Sequence, residues 1–279
     1  MNAKAAHPML TNLVGLFLLF AMQAAPAPRP SPNLAGIAHV AFHVTDLPKS
    51  REFYRALGFE EAFAFNDPGK PPVSYVKVND RQYIELYQRK DESQPLGLMH
   101  VCYEASDLDA LHAYYVQQGV DAPAPRKARA GNLLFVLHDP EGQTLEFTQY
   151  MPGSLHYEAR GKYVGANRIA EQMVLPTVPV RDLDSERSFY KKLGFEDAGS
   201  QNGIRLRLAG QSRQEIDLQN PGAPLQLAFT VPDAKGAAAK LRQRGLKAVE
   251  SRGFVSVTDP DGVVIIFRSV VACVNTSCS

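Results

Sequence analysis

Residues 39–59 read HVAFHVTDLPKSREFYRALGF, and residues 175–195 read LPTVPVRDLDSERSFYKKLGF. Both stretches pass from an apolar strand-like segment through an Asp-Leu pair into a helical segment that ends in Leu-Gly-Phe. Alternating apolar residues indicate a strand, Asp before the helical segment indicates an N-cap, and Gly after it indicates a C-cap. Residues 98–120 and 226–246 repeat the same order. The sequence therefore predicts four related units, each opening with a strand and a helix.

Each helix is followed by further strand-like segments, so we expect an α+β fold. In the first unit these strands include residues 73–78 and 82–88, and in the second unit residues 133–137 and 144–150. Asp-Pro-Glu-Gly at residues 139–142 recurs as Asp-Pro-Asp-Gly at residues 259–262. These residues suit a type I turn, which predicts a hairpin in both places.

A chain of 279 residues is long enough for two domains. We predict a leader over residues 1–33, a domain over 34–150, a linker over 151–168, a second domain over 169–271 and a tail over 272–279. The net charge is +1 with both signs interspersed, which gives no reason to expect nucleic acid or an anionic membrane as a partner. A small-molecule substrate is expected, and two halves per chain allow a monomer or a homodimer.

The first thirty residues have the layout of a secretory signal peptide. Lys4 precedes an apolar run, LVGLFLLFAM at residues 13–22, and small residues follow it. The run is too short to span a bilayer core of about 30 Å comfortably, so no stable membrane insertion is expected after its removal. An uncleaved anchor is the alternative. We expect a secreted or periplasmic protein, in which Cys273 and Cys278 form a small disulfide or remain two free thiols.

The ionisable residues of the first half fall on four strands that each have an apolar and a polar face. The polar faces carry His39 and His43, then Tyr83, Glu85 and Tyr87, then His100 and Cys102, and finally Thr144, Glu146 and Thr148. If the first two units pair by pseudo-symmetry, His39, Glu85, His100 and Glu146 converge. Two imidazoles with carboxylates suit Zn, Ni, Fe(II), Mn or Co and leave coordination positions open for a substrate.

With its DL…FY…LGF openings and its DPEGQTLEF ending, the chain resembles the vicinal oxygen chelate superfamily, which includes glyoxalase I, extradiol dioxygenases and bleomycin resistance proteins. The resemblance covers nearly all of the chain after the leader. It implies four βαβββ units paired into two half-barrel domains, with a divalent metal held by His39, Glu85, His100 and Glu146. A carboxylate at the position of Glu85 is more typical of glyoxalase I. A complete ligand set requires the first unit to pair with the second.

The second half departs from this pattern. Alignment of the units places Leu175, Asp217, Leu227 and Ile266 opposite His39, Glu85, His100 and Glu146. Three of these four residues are apolar, so no metal is expected in the second half.

The resemblance implies a metal-dependent lyase or isomerase of the glyoxalase I type, acting on a substrate chelated through two adjacent oxygens. Glu85 or Glu146 would move the proton while the metal stabilises negative charge on the substrate. His43 would line the substrate cavity or support a ligand, and Tyr83, Tyr87, Cys102 and Thr148 are weaker candidates for the cavity wall. Cys102 is alternatively an inert buried residue. The absence of an Arg at position 43 counts against a glutathione substrate.

Two other functions stay open on the sequence. An Fe(II) extradiol dioxygenase would use His39, His100 and Glu146 as ligands, although a fourth ligand at Glu85 would remove a position that O₂ needs. A bleomycin-resistance-like binding protein would need no metal, and the intact ligand set disfavours it. His138 before a turn is expected to be structural, and His7, His112 and His156 show no pattern.

Overall fold

The computed structural model describes residues 32–199, 203–208 and 214–270. The predicted leader, apart from Pro32 and Asn33, and the tail with Cys273 and Cys278 lie outside these residues. The described chain contains five helices, α1 (Leu47–Ala56), α2 (Leu108–Gln117), α3 (Leu155–Glu158), α4 (Leu183–Lys192) and α5 (Ala234–Gln243). Its strands are β1 (Leu34–Val44), β2 (Glu60–Phe65), β3 (Val73–Lys77), β4 (Tyr83–Gln88), β5 (Gly97–Ala105), β6 (Arg126–Lys127), β7 (Leu133–His138), β8 (Thr144–Gln149), β9 (Gln172–Pro179), β10 (Phe195–Gly199), β11 (Gly203–Leu208), β12 (Glu215–Gln219), β13 (Gln226–Val231), β14 (Val249–Ser251), β15 (Phe254–Thr258) and β16 (Val264–Ser269).

The strands form two eight-stranded sheets of the same topology, which confirms the α+β fold built from four βαβββ units. The first sheet has the order β2-β3-β4-β1-β5-β8-β7-β6, and the second has the order β10-β11-β12-β9-β13-β16-β15-β14. In the first sheet β1 pairs antiparallel with β5 and parallel with β4, while β5 pairs parallel with β8. The four strands predicted to carry metal ligands are therefore neighbours, because the first unit pairs with the second.

The helix boundaries follow the capping residues in the sequence. Asp46 accepts a hydrogen bond from the backbone of Lys49 at the start of α1, and Asp182 accepts one from Ser185 at the start of α4. After α1 the chain turns at Gly58, which has φ +83°, and the backbone of Asn167 lies where a Cβ would be. Only glycine fits this position without strain.

The helices and one face of each sheet form a continuous hydrophobic core that joins the two halves. Phe59 packs near Phe229 with ring centroids 5.5 Å apart, and Tyr103 packs near Phe195 at 5.2 Å. One buried amide also crosses between the halves, because the side chain of Gln82 donates to the carbonyl of Met173 (2.9 Å) and accepts from its N–H (2.8 Å). The other face of each sheet is left outside this core.

The segment between the two sheets, predicted as a linker over residues 151–168, contains the short helix α3. It lies against the first sheet, where the buried Lys77 ammonium donates to the backbone carbonyls of Ala159 and Lys162. Asp80 accepts from the N–H of Gly161 at 2.8 Å. This connector, defined as residues 151–168, is therefore held against the first sheet by the buried Lys77 and by Asp80. No helix within the described residues is long and apolar enough to cross a membrane.

Candidate metal centre

The strand register of the first sheet places the predicted ligand residues on one face, which we call the site face. His39 lies opposite Cys102 across the β1–β5 ladder, and Ala41 lies opposite both His100 and Glu85. Cys102 is in turn paired with Glu146 across β5 and β8. Because directly paired residues project to the same side of a sheet, these side chains share a face. The residues between them on each strand, such as Ile84 and Leu145, point into the core.

The imidazole of His39 is at the centre of the group. Its Nε2 lies 3.0 Å from Nε2 of His100, 3.3 Å from Oε1 of Glu85 and 3.6 Å from Oε1 of Glu146. His39, Glu85 and His100 together form one group whose ligand atoms lie within 4.8 Å of one another. His39, Cys102 and Glu146 form a second such group.

These distances suit a shared divalent ion. Protein nitrogens and oxygens bind first-row divalent metals at about 2.0–2.2 Å, so two ligands at right angles on one ion lie about 3 Å apart. Two ring nitrogens 3.0 Å apart can share only one hydrogen bond, which leaves the rest of this donor set without good partners. The residues present fit a divalent metal held by nitrogen and oxygen.

Burial opposes charge on all four groups in the metal-free protein. It lowers the pKa of His39, with His100 and His156 adding to the effect, and lowers the pKa of His100 to about 4. Burial also raises the pKa of Glu85 and raises that of Glu146 to about 7. The contacts of His39 with the two carboxyls are therefore not ion pairs. A bound divalent cation would favour the ionised form of both carboxyls and would bind the imidazoles in their neutral form.

The two carboxyls have different surroundings. Glu85 is 3% exposed, and its Oε2 accepts a hydrogen bond from the Tyr87 hydroxyl at 3.0 Å. The side chain of Glu146 is 16% exposed, and its Oε1 accepts a weak hydrogen bond from the Cys102 thiol at 3.5 Å. Arg126 near Glu146 partly opposes the effect of burial on its pKa. Glu85 is therefore the fixed carboxyl, and Glu146 is the one that solvent reaches.

The weaker candidates from the sequence are distributed along the same face. His43 is half-buried, with its ring edge-on to Tyr87 at 6.4 Å. Tyr83 is fully buried, and its hydroxyl donates to the backbone carbonyl of His156 at 3.3 Å. The hydroxyl of Thr148 is also buried and donates to the carbonyl of Leu133 at 2.9 Å. Of these residues, His43 and Tyr87 lie at the accessible end of the site face, whereas Tyr83 and Thr148 are occupied by internal hydrogen bonds.

Sequence reasoning missed His156. This residue of α3 is 2% exposed, and its ring lies in a box of four aromatic side chains, which we call the aromatic box: Phe63, Tyr75, Tyr83 and Tyr150. Its ring centroid is 6.4 Å from that of His39, with the two planes 16° apart. Burial lowers the pKa of His156 to about 3, so the ring is neutral. No periodicity marks a lone His in a four-residue helix, and only the path of the connector brings it to the site.

The register of the second half corrects one part of the sequence alignment. Ala228 pairs with both Leu175 and Ile266, as Cys102 pairs with His39 and Glu146. The counterpart of His100 is therefore Gln226, and Leu227 packs into the core instead. The prediction was wrong by one residue, because the openings of the two units were aligned one position out of step. The N-caps Asp107 and Asp233 lie at the same distance after His100 and Gln226, and the two strands match without an insertion. Among the described residues, the groups that could hold a metal all belong to the first half.

Comparisons with known proteins agree with this fold. Residues 36–147 match the family model of the Glyoxalase/Bleomycin resistance protein/Dioxygenase superfamily. A Mn(II)-bound glyoxalase from Novosphingobium aromaticivorans is similar over 85% of this chain and 83% of its own, with a TM-score of 0.63 and 17% identity. An extradiol ring-cleaving dioxygenase from B. fuscum is similar over 88% and 74%, with a TM-score of 0.62 and 19% identity.

Homoprotocatechuate 2,3-dioxygenase from Arthrobacter globiformis is similar over 86% of this chain and 81% of its own, with a TM-score of 0.57 and 21% identity. No curated protein matches the sequence. At these identities the structural similarity shows the fold and not the reaction.

The first half of the chain is thus a domain of the Glyoxalase/Bleomycin resistance protein/Dioxygenase superfamily, also called the vicinal oxygen chelate superfamily. The second half repeats its sheet topology without its ligand set.

Proposed function

We propose that the protein is a metal-dependent enzyme of the glyoxalase I type, a lyase or isomerase whose substrate is chelated through two adjacent oxygens. The observation that supports this most strongly is the position of His39, with its Nε2 within 3.6 Å of nitrogen or oxygen atoms of His100, Glu85 and Glu146. A divalent ion held by these four residues would act as a Lewis acid toward the two substrate oxygens.

The two carboxyl groups of the site suit different roles in this reaction. Glu85 is held by Tyr87 and buried, which suits a permanent ligand. Glu146 is the carboxyl that faces the accessible end of the site, which suits the group that takes up and returns a substrate proton. His43 and Tyr87 line the same end. In this proposal a carboxylate beside two fixed imidazoles would take a proton from one substrate carbon and return it to the neighbouring carbon.

The second candidate is an Fe(II) extradiol dioxygenase, and the similarity to ring-cleaving dioxygenases of B. fuscum and A. globiformis favours it. His39, His100 and Glu146 would then be the ligands. Glu85 counts against it, because its Oε1 is nearer to His39 than that of Glu146 is, at 3.3 Å against 3.6 Å. A fourth ligand so placed takes up a coordination position that O₂ and a catechol would share.

Metal content tests the proposal. The protein purified without chelator is compared by elemental analysis with its His100→Ala variant, and His138→Ala, an exposed residue of β7, is the matched control. Stoichiometric Ni, Zn, Co or Mn that only His100→Ala loses supports the lyase or isomerase, whereas iron lost in the same way favours the dioxygenase. A wild-type protein that neither contains a divalent metal nor takes one up is a binding protein, and both enzymatic functions are then rejected.

Reaction class is tested on the metal-loaded protein. A panel of hemithioacetals and α-hydroxycarbonyl compounds is compared with a panel of catechols, with and without O₂. We expect the metal-loaded protein to turn over hemithioacetals or α-hydroxycarbonyl compounds whether or not O₂ is present. Turnover confined to catechols in the presence of O₂ would replace it with the second candidate.

A further inference from the structure

The connector covers one end of the site face and leaves the other end open. At the covered end, Lys77 binds the carbonyls of Ala159 and Lys162, and Glu104 of β5 lies 3.9 Å from the guanidinium of Arg160. At the other end of β1 and β4, His43 and Tyr87 are only half-buried. The ligand His39 lies at the boundary between the two ends.

The side chain that the connector places at this boundary is His156. Its ring is stacked on Tyr150 with centroids 4.7 Å apart and planes 7° apart, and the edges of Phe63, Tyr75 and Tyr83 surround it at 4.7–5.5 Å. Planar rings prefer stacked and edge-to-face arrangements such as these. The aromatic box is therefore shaped to hold one planar ring beside the ligand group.

Only one of the two ring nitrogens of His156 has a hydrogen-bond partner among the described residues. The amide of Asn132 lies 2.8 Å from Nδ1, so this nitrogen has a hydrogen-bond partner. The other nitrogen, Nε2, is buried and has no hydrogen-bond partner among the described residues. A buried ring nitrogen without a partner is unfavourable, and an apolar side chain of the same size would avoid that loss at the expense of the hydrogen bond with Asn132. The imidazole thus fills the box with one of its two nitrogens paired and the other facing no polar group among the described residues.

The connector is a fixed wall and not a lid. Ser154 caps α3 by accepting from the N–H of Tyr157 at 3.3 Å, and the N–H of Leu155 donates to Ala130 at 2.8 Å. With the contacts of Asn132, Lys77 and Asp80, it is attached to the first half on both sides of His156.

We propose that His156 is a specificity-determining residue, an inference that rests on the function proposed above. By filling the aromatic box beside His39, His156 restricts the enzyme to compact substrates that have no ring next to their chelating oxygens. Removal of the imidazole leaves a ring-sized space lined by aromatic side chains. An aromatic substituent on the chelating group then enters this space, as small aromatic molecules enter apolar cavities made by truncation.

Two hydroxamic acids test this with the Co(II)-loaded protein, because both chelate metals through two adjacent oxygens and they differ in one ring. The probes are acetohydroxamic acid and benzohydroxamic acid, and binding is followed by the visible spectrum of Co(II). We expect the wild-type protein to bind benzohydroxamic acid at least tenfold more weakly than acetohydroxamic acid. In His156→Ala this ratio falls below threefold, whereas His156→Phe, which refills the box, keeps it.

Tyr157→Ala is the matched control, since this neighbouring ring of the connector stacks outside the box under Arg160, and it keeps the wild-type ratio. His156→Val, which leaves a smaller space, has an intermediate ratio and serves if His156→Ala does not fold. In the metal-free protein, 10 mM imidazole raises the Tm of His156→Ala by several degrees and does not change that of the wild type or Tyr157→Ala.

The outcomes separate the two proposals. Equal affinity of the wild type for both probes, or a tenfold ratio retained in His156→Ala, overturns the role of His156 and leaves the metal site intact. Loss of the ratio in Tyr157→Ala also overturns it, since the discrimination would then not depend on the box. A wild-type protein that binds no Co(II) overturns the proposed function, and the inference about His156 with it.

Discussion

Glu186 of α4 and Asp139 of the turn after β7 bring two buried carboxyl groups together where the two halves meet. Glu186 is fully buried and Asp139 is 4% exposed, and each has one carboxyl oxygen without a hydrogen-bond partner. The equivalent position of α1 holds Ser50, and there Tyr54 donates to Asp259 of the other turn at 3.3 Å. Only one of the two related contacts therefore contains a carboxyl pair.

This pair predicts that stability decreases with rising pH. Burial, together with repulsion by Asp139, raises the pKa of Glu186 to about 8 from an ordinary value of 4.5. Between these two values the folded protein holds a proton that the unfolded chain releases, so the free energy of unfolding falls as pH rises and the contribution is lost above about pH 8. Glu186→Gln stays neutral, so it should exceed the wild type by about 1–3 kcal/mol at pH 9 and match it at pH 5.

Urea unfolding across this pH range measures the difference. Glu52→Gln is the control, because Glu52 is an exposed residue of the related helix α1, and its stability should follow that of the wild type. A gap between Glu186→Gln and wild type that is the same at pH 5 and pH 9 would contradict the prediction.

The fold and much of the site could be predicted because they depend on local pattern. Apolar alternation and Asp and Gly caps define the strands and helices of each unit, and the repeat aligns Glu85 with Glu146 on equivalent last strands. The four ligand candidates then meet through strand pairing alone. Such features are set by residues that are close in sequence or related by the repeat.

Two features of the site were missed in the sequence. The counterpart of His100 is Gln226 and not Leu227, because the openings of the second and fourth units were aligned one residue out of step. His156 reaches the site through buried long-range contacts of the connector, such as that of Asn132 with its ring. The N-caps Asp107 and Asp233 would have given the correct alignment, whereas the path of the connector leaves no periodic pattern in the sequence.

The hydrogen bond from Tyr87 to Glu85 is expected to support metal binding. Tyr87→Phe removes the donor at 3.0 Å and lets the carboxyl of Glu85 rotate, so we expect Co(II) affinity to fall by about 10- to 100-fold. Tyr83→Phe is the matched control, because its hydroxyl donates to the connector backbone and not to a ligand. Co(II) titration of the two variants measures this affinity. An equal loss of affinity in both variants would show that the hydrogen bond from Tyr87 to Glu85 does not support metal binding.

Metal removal is expected to lower stability. A ligand that binds only the folded state stabilises it by about 2.7 kcal/mol at a concentration 100 times its Kd. In this protein the ion would also compensate buried carboxyls at Glu85 and Glu146. We expect Tm to rise on addition of Co(II) to protein treated with chelator. His39→Ala, which lacks the central ligand, should show no such rise, and a rise of equal size in this variant would place the ion elsewhere.

The amide of Gln82 is expected to be a major link between the two halves. Its Nε2 donates to Ile37 (3.2 Å) and Met173 (2.9 Å), and its Oε1 accepts from Met173 (2.8 Å). Gln82→Ala leaves these buried backbone groups unpaired, so unfolding free energy should fall by about 2–4 kcal/mol. Gln88→Ala removes a similar set of backbone hydrogen bonds that stay within the first half and are half-exposed, and we expect a loss of about 1 kcal/mol. Calorimetry measures both changes in unfolding free energy. If the two variants lose the same amount, the hydrogen bonds of Gln82 between the halves stabilise the protein no more than those of Gln88 within the first half.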